Sequence, residues 1–122
     1  MYVINFYKNK NGKSLILEYL KELKVKTDKS SRIKLQKIHD HINYLKHNGP
    51  HAKEPYAKHL EGDIWELRPI RDRILYAAWE NNSFVLLHIF QKDTQKTPKN
   101  EMQQAQRNLT DYRKRGGTHE KG

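Results

Sequence analysis

The sequence predicts an α+β domain in which two N-terminal helices pack on an antiparallel β-sheet, with a C-terminal helix beside the sheet. Apolar residues recur at helical spacing before residue 49, three strand-like segments follow in close order over 64–90, and a last helical stripe comes after them. The chain has 122 residues, 35% of them hydrophobic, which fits one core. We expect one domain over 1–115 and a flexible tail over 116–122.

The N-terminal part predicts a short strand over 2–7 and then two helices. Ser14 is placed to cap the first helix, and Ser30 or Ser31 opens the second, which runs to about Asn48. The apolar stripes of these two helices are Ile16, Leu20 and Leu23, and then Leu35, Ile38, Ile42 and Leu45. Gly49-Pro50 ends the second helix. We expect a helical hairpin lying on the sheet, because both stripes would otherwise face water.

The central part predicts a meander of antiparallel strands. Residues 51–63 are interpreted as a polar connection that contains Lys58. Three strand segments follow over 64–68, 73–79 and 84–90, and Asn81-Asn82 supplies the last hairpin turn because asparagine tolerates the left-handed conformation. The nearly continuous apolar run from Val85 to Ile89 indicates a strand covered on both faces.

The C-terminal part predicts one more helix. Thr97 is the expected N-cap, and Pro98 the first helical residue. The predicted buried stripe of this helix consists of Met102, Ala105, Leu109 and Tyr112.

Charge favours a nucleic-acid partner over a surface that is basic only for solubility. Lys and Arg number 24 against 14 Asp and Glu, a formal net charge of +10. Such a balance suits binding to phosphates with release of their counterions. The chain has no cysteine, which excludes disulfides and thiolate metal sites and suits a reducing cytoplasm. No apolar run is long enough for a membrane span, so we expect a cytoplasmic protein with no membrane partner.

Familiar catalytic signatures are missing, and the remaining candidates are cations at strand ends. The sequence has no glycine-rich phosphate loop, no GxSxG and no HExxH, and its histidines are too scattered to predict a metal site or any cofactor. Arg68 ends one predicted strand, Arg73 begins the next, and Lys92 follows the last. A meander brings these positions together, where they can surround one phosphate and lower the pKa of Lys92 or Lys96 enough for it to act as a base. The alternative is ordinary ion pairing, of Arg73 with Asp72 or Glu66 and of Lys92 with Asp93.

Several ordered segments resemble the phage-derived HigB-like branch of the RelE/ParE toxin superfamily. They cover roughly residues 53–114, whereas the first two helices match in pattern alone. The segments are Trp65-Glu66-Leu67-Arg68, Arg73-Ile74-Leu75-Tyr76, Leu86 to Lys92, and Thr94-Gln95-Lys96-Thr97-Pro98, followed by Glu101 and Ala105. No single segment is specific, but their order and spacing together are.

The resemblance implies a microbial-RNase-like fold and ribosome-dependent cleavage of mRNA, in which a 2′-hydroxyl attacks the adjacent phosphate. It implies that Arg68 and Arg73 hold the scissile phosphate and that Lys92 stabilises the transition state or helps to activate the 2′-hydroxyl. His88 is a candidate proton donor. The implied RNA contacts are Lys58, Lys96 and Phe90, the last by stacking on a base or else as a core aromatic, with Lys34, Lys37 and Lys46 of the second helix meeting ribosomal RNA.

The resemblance also implies a partner, a helix-turn-helix antitoxin of the HigA-like kind that links the toxin indirectly to operator DNA. Two other functions stay open. One is a ParE-like toxin that poisons DNA gyrase and needs no catalytic cluster, and the other is a non-catalytic nucleic-acid-binding protein.

Overall fold

Five strands and three helices make up the α+β structure, a computed structural model that describes residues 1–93 and 96–117. The sheet has the order β1-β5-β4-β3-β2. Along the chain the elements are β1 (Val3–Phe6), α1 (Leu15–Val25), α2 (Lys29–Asn48), a 3-10 turn (Gly49–His51), β2 (Ala57–Glu61), β3 (Ile64–Leu67), β4 (Asp72–Trp79), β5 (Ser83–Gln91) and α3 (Lys99–Lys114).

The predicted meander is confirmed, but the expectation of a wholly antiparallel sheet is wrong. Strands β2 to β5 pair antiparallel in chain order, and β1 pairs parallel with β5, Val3 opposite Ser83 and Phe6 opposite Leu86. A parallel partner requires a long crossover, which the two helices and the meander supply. Because the partner of β1 lies about eighty residues away, no local pattern in the sequence reveals its direction.

The interpretation of residues 51–63 as a polar connection is also wrong, because Ala57–Glu61 forms the edge strand β2. Its Ala57 is buried and its Leu60 is half-buried, whereas Lys58, His59 and Glu61 are exposed. A bulge between His59 and Glu61 breaks the alternation further. Charged side chains and bulges are common on edge strands, where they discourage further pairing, and here they hide the strand signal.

The sheet is covered on both faces, as the apolar run in β5 predicts. On one face α1 and α2 pack through Ile16, Leu23, Ile38 and Leu45 against Ile74, Tyr76, Phe84 and Leu86. On the other face α3 packs through Met102, Ala105, Leu109 and Tyr112 against Leu75, Ala77, Val85 and Leu87. Alternate residues of β4 and β5 therefore belong to different cores.

The helix boundaries differ in detail from those predicted. The Ser14 cap is confirmed, its Oγ accepting a hydrogen bond from the Leu17 amide at 3.2 Å. Helix α2 begins at Lys29, neither at Ser30 nor at Ser31, because the Asp28 carboxylate accepts from the Ser31 amide at 2.9 Å and takes the cap position.

Most turn residues act where the sequence predicts them to. Asn81 and Asn82 adopt φ of 55° and 56° in the β4–β5 hairpin, left-handed values that asparagine tolerates. Gly49 ends α2 with φ of 51° beneath the Tyr2 ring, where an added Cβ would lie 2.3 Å from Tyr2 Cε2. Gly116 and Gly117, which are predicted to lie in the flexible tail, instead form a hydrogen-bonded turn at the end of α3. Residues 118–122 of the expected tail lie outside the described residues, and the domain boundary at 115 stays a prediction.

Candidate functional site

Four cations meet at one end of the sheet, on the face that α3 covers: two lie in β2 and β4, and two directly follow β3 and β5. We call Lys58, Arg68, Arg73 and Lys92 the cationic cluster. Arg73 of β4 lies opposite Phe90 of β5, and Lys58 of β2 lies opposite Glu66 of β3. The Lys92 amide donates to the Arg71 carbonyl at 2.8 Å, which extends the β4–β5 ladder beyond the strands. The meander thus brings Arg68, Arg73 and Lys92 together, as their places in the sequence predict.

Glu66 is the carboxylate beneath the cationic cluster. Its side chain is 1% exposed, and its Oε2 lies 3.6 Å from Arg68 Nε and 3.9 Å from Arg73 Nε. Its Oε1 accepts a hydrogen bond from Thr97 Oγ1 at 2.9 Å. Sequence reasoning names Glu66 as an alternative ion-pair partner of Arg73 and misses that it contacts both arginines. The signal is the two-residue spacing between Glu66 in β3 and Arg68 just after it, which is the spacing of side chains on one side of an extended chain.

Main-chain groups hold Arg73 in place. Its Nη1 donates to the carbonyls of Ile70 at 2.9 Å and Asp72 at 2.8 Å. Ile70 has φ of 52°, an unfavourable conformation for a β-branched residue that costs of the order of 1–3 kcal/mol. Within the described residues, Arg73 Nε is buried without a hydrogen-bond acceptor. The strained turn at Ile70 therefore fixes the guanidinium of Arg73, whose Nε–H has no hydrogen-bond acceptor among the described residues.

Burial and the repulsion between neighbouring cations both lower pKa values within the cationic cluster. Burial lowers the pKa of Lys92, and the charges of Arg73, Arg68 and Lys58 lower it further, against the opposing effect of Glu66. Burial also lowers the pKa of Arg73, with Arg68 adding to the effect and Glu66 opposing it. The direction for Lys92 is the one that clustering of like charges predicts.

Thr97 does not cap α3, so the predicted cap is wrong. The helix begins at Lys99, Pro98 occupies the cap position, and no side chain caps it. The Thr97 hydroxyl instead donates to Glu66, 31 residues earlier in the chain. The Thr97 hydroxyl can either donate to Glu66 or accept from the amides in the first turn of α3, and the bond to a buried carboxylate is the stronger of the two. This contact links Thr97, just before α3, to the cationic cluster.

His88 and Phe90 continue the same face of β5. The His88 ring is 8% exposed, its Nε2 lies 2.5 Å from Glu101 Oε1 on α3, and it stacks on Phe90 with ring centroids 6.0 Å apart. Phe90 is half-buried and packs against the core under α3. Part of the Phe90 ring is thus accessible beside Arg73, while the rest serves the core. Sequence reasoning misses Glu101 as the partner of His88.

The remaining predicted RNA contacts are spread over two faces of the molecule. Lys58 and Lys96 are exposed, whereas Thr94 and Gln95 of the resembling segment lie outside the described residues. Lys34, Lys37 and Lys46 belong to α2, which packs on the opposite face of the sheet from α3.

Lys34 and Lys46 are half-buried on α2, whereas Lys37 is exposed, and the contact of all three with RNA stays a prediction. Lys34 Nζ lies 5.6 Å from the centre of the Tyr19 ring. A hydrogen bond to Tyr19 and the charge of Asp72 raise its pKa against the effect of burial. The apolar stripe of α2 predicts its buried side but not these contacts at the stripe's border.

Among residues 1–93 and 96–117, no group of three or more histidine or acidic side chains is placed to hold a metal ion. No helix in that part of the chain is both long and apolar enough to cross a bilayer.

Comparison with known proteins identifies the family. Curated proteins give no match to this chain. A family model, described as phage derived protein Gp49-like (DUF891), matches residues 18–110, from the first turn of α1 to near the end of α3. The match covers more than half of the chain and contains the whole cationic cluster with Glu66, Thr97, His88 and Glu101. The chain therefore belongs to the phage derived protein Gp49-like family, a family of RelE/ParE-type toxin-like proteins.

Proposed function

We propose that this protein is the toxin of a toxin–antitoxin pair, of the HigB-like kind, and that it cleaves mRNA on the ribosome with the cationic cluster as its active site. Family membership supports the coarser statement, a toxin of the RelE type. The RNase activity, the ribosome and the HigB-like branch are the further steps of the proposal.

The observation that carries the proposal is the imbalance of charge at the sheet end. In the described part of the chain, the charge of Glu66 acts on Arg68, Arg73 and Lys92, and the charge of Asp72 acts on Arg73, so the four cations of the cluster face two carboxylates. Keeping like charges together in a partly buried place costs folding free energy unless a ligand compensates them. A bound phosphate supplies the missing negative charge, and the guanidinium groups of Arg68 and Arg73 supply donors for its oxygens.

The same groups suit the chemistry of RNA cleavage. The 2′-oxygen bonds to phosphorus, the bond from phosphorus to the 5′-oxygen breaks, and the products carry a 2′,3′-cyclic phosphate and a 5′-hydroxyl. Arg68 and Arg73 stabilise the charge that grows on the pentacoordinate phosphorus. Lys92, with its lowered pKa, accepts the proton of the 2′-hydroxyl. The leaving 5′-oxygen takes its proton from a donor on the same face, for which His88 is the candidate.

Two neighbouring features fit RNA as the ligand. The accessible part of Phe90, beside Arg73, offers a stacking surface to a base. Exposed Lys58 and Lys96 extend the positive surface along a strand of phosphates. The proposed partners are mRNA in the ribosome and a helix-turn-helix antitoxin, whose acidic groups would complement the net charge of +10.

Induced expression tests the proposal. The wild type, Arg73→Ala and Lys92→Ala are expressed from a controlled promoter, growth is followed, and primer extension is run on a translated reporter mRNA. We expect growth arrest with cuts inside translated codons for the wild type, and neither for the two variants. Arrest without cuts that persists in both variants would favour gyrase poisoning, and RNA binding without cuts would favour a non-catalytic binding protein.

A further inference from the structure

Among the described residues, burial sets Glu66 apart from the other carboxylates that pair with arginines. The side chains of Asp63, Asp93 and Asp111 are 40% to 80% exposed where they pair with arginines, whereas that of Glu66 is 1% exposed. A carboxylate so deeply buried is rare in proteins unless it is paired. Its place therefore needs a reason beyond surface charge balance.

The two oxygens of Glu66 have different partners. Oε1 accepts the Thr97 hydroxyl at 2.9 Å, and Oε2 faces Arg68 Nε at 3.6 Å and Arg73 Nε at 3.9 Å. The Thr97 bond fixes the rotation of the carboxylate, so that one oxygen is turned toward both guanidinium groups. Neither arginine is close enough to Oε2 for a hydrogen bond, so Glu66 attracts both without consuming their donors.

The arginines repel each other, which makes their common orientation dependent on the anion between them. Arg68 is one of the charges that lower the pKa of Arg73, and Glu66 is the charge that opposes this most strongly. Without that anion, repulsion and the large rotamer freedom of arginine would favour separated side chains.

We propose that Glu66 is a positioning residue, set by Thr97, that holds Arg68 and Arg73 in the common orientation needed to grip one phosphate. The role of the arginines toward RNA rests on the proposed function, whereas the ordering of the arginines by Glu66 does not. Glu66 itself would not touch the substrate, because it lies beneath the arginines and is almost wholly covered.

The proposal predicts opposite effects on RNA binding and on cleavage. Glu66→Gln keeps the shape and removes the negative charge, so the net charge of the site rises by one. We expect single-stranded RNA to bind as tightly as before or more tightly, because nonspecific attraction grows. We expect the cleavage rate of bound mRNA to fall by about 100-fold, because the phosphate is no longer held in register.

The experiment combines three measurements on four variants. The variants are Glu66→Gln, Thr97→Val, the conservative Thr97→Ser, and the control Glu61→Gln, which makes the same chemical change on exposed β2. The first measurement is hydrogen exchange of the Arg68 and Arg73 Nε–H groups by nitrogen-15 NMR on the free protein. The second is affinity for 2′-O-methylated single-stranded RNA, which cannot be cut. The third is the single-turnover cleavage rate on programmed ribosomes.

We expect Glu66→Gln to speed the arginine Nε–H exchange at least tenfold and to lower cleavage with undiminished RNA affinity. Thr97→Val should show the same pattern more weakly, and Thr97→Ser and Glu61→Gln should resemble the wild type. A Glu66→Gln protein that loses affinity, cleavage and thermal stability together would show a structural role and overturn the proposal. Unchanged exchange would overturn it as well. If the wild type itself does not cut, the proposed RNase activity fails, and the exchange measurement alone still decides whether Glu66 orders the arginines.

Discussion

The two ends of helix α3 are both rich in cations, but they handle the charge in opposite ways. At the C-terminal end each arginine has its own carboxylate: Arg113 pairs with Asp63 at 2.7 Å, and Arg115 pairs with Asp111. At the N-terminal end the four cations of the cationic cluster face two carboxylates, Glu66 and Asp72, among the described residues.

Exposure differs between the two ends as well. The Arg113 side chain is 49% exposed and that of Asp63 is 69% exposed, so this pair is screened by water and contributes little to stability. Arg73 is 12% exposed over a carboxylate that is 1% exposed. Charges arranged in the second way cost folding free energy. The difference agrees with the proposal that the N-terminal end binds an anionic ligand, whereas the arginines at the C-terminal end are already paired with carboxylates.

The largest expected effect is on the cleavage rate, and it is tested by changing one arginine to alanine at each end of α3. Arg73→Ala should lower cleavage of translated mRNA by about 100-fold or more, because a fixed donor to the transition state is lost. Arg113→Ala removes one positive charge from the C-terminal end of α3 and should leave the rate within about twofold of the wild type. Single-turnover rates on programmed ribosomes measure both. Equal losses in the two variants would mean that net charge matters and the site does not.

The next effect concerns the ionisation of Lys92. Its pKa lies below the ordinary lysine value of about 10.4, chiefly through burial, and as a base it acts in its neutral form. Cleavage should therefore rise with pH and level off once the pH passes this lowered pKa. Lys92→Arg, which stays protonated, should lose this rise and fall by about 100-fold. A pH profile of wild type and variant tests this, and an identical profile for the two would remove Lys92 from the role of base.

A smaller effect separates stability from activity. Asp111 accepts a hydrogen bond from Tyr7 at 2.6 Å, and this bond together with Arg115 lowers its pKa in the folded protein. A lowered folded-state pKa gives stability that is present above the unfolded pKa and is lost as pH falls through the folded value. Asp111→Asn should cost roughly 0.5 to 1 kcal/mol at pH 7, since the site is partly exposed and screened. Urea denaturation at pH 7 and near pH 3 checks that the difference shrinks with acid while cleavage at pH 7 is unchanged.

The smallest expected effect is on the free energy of unfolding, and it has opposite signs at the two ends of α3. Lys92→Met relieves repulsion inside the cationic cluster and should raise the free energy of unfolding by about 0.5 kcal/mol, even though cleavage is lost. Arg115→Met removes the partner of Asp111 and should lower it by a similar amount. Thermal denaturation of both variants tests the contrast. Two changes of the same sign would argue against a cluster maintained for binding.

The sequence predicts the interior of this fold better than its margins. The apolar run of β5 and the stripe of α3 predict the layers, because burial on both sides imposes a strong pattern. Strand β2 escapes prediction because one side of an edge strand faces water, and the parallel direction of β1 depends on a partner far away in the chain.

The candidate site is also predicted only in part by the sequence. Arg68, Arg73 and Lys92 are found from their places at strand ends, which the meander brings together. Glu66 is named only as an alternative ion-pair partner of Arg73, and Thr97 only as a helix cap, so their contact with each other is missed. The Thr97 hydroxyl donates to Glu66, 31 residues earlier in the chain, and no local rule predicts such a contact between distant residues.

The chemistry of the cut ends tests the central claim most directly. Purified wild-type protein is added to ribosomes programmed with a defined mRNA, and the fragments are analysed by mass spectrometry. The account predicts upstream fragments that end in a 2′,3′-cyclic or 3′-phosphate and downstream fragments that begin with a 5′-hydroxyl, all absent with Arg73→Ala. Intact message under conditions in which the protein still arrests growth, or fragments of the same kind and amount with Arg73→Ala, would contradict it.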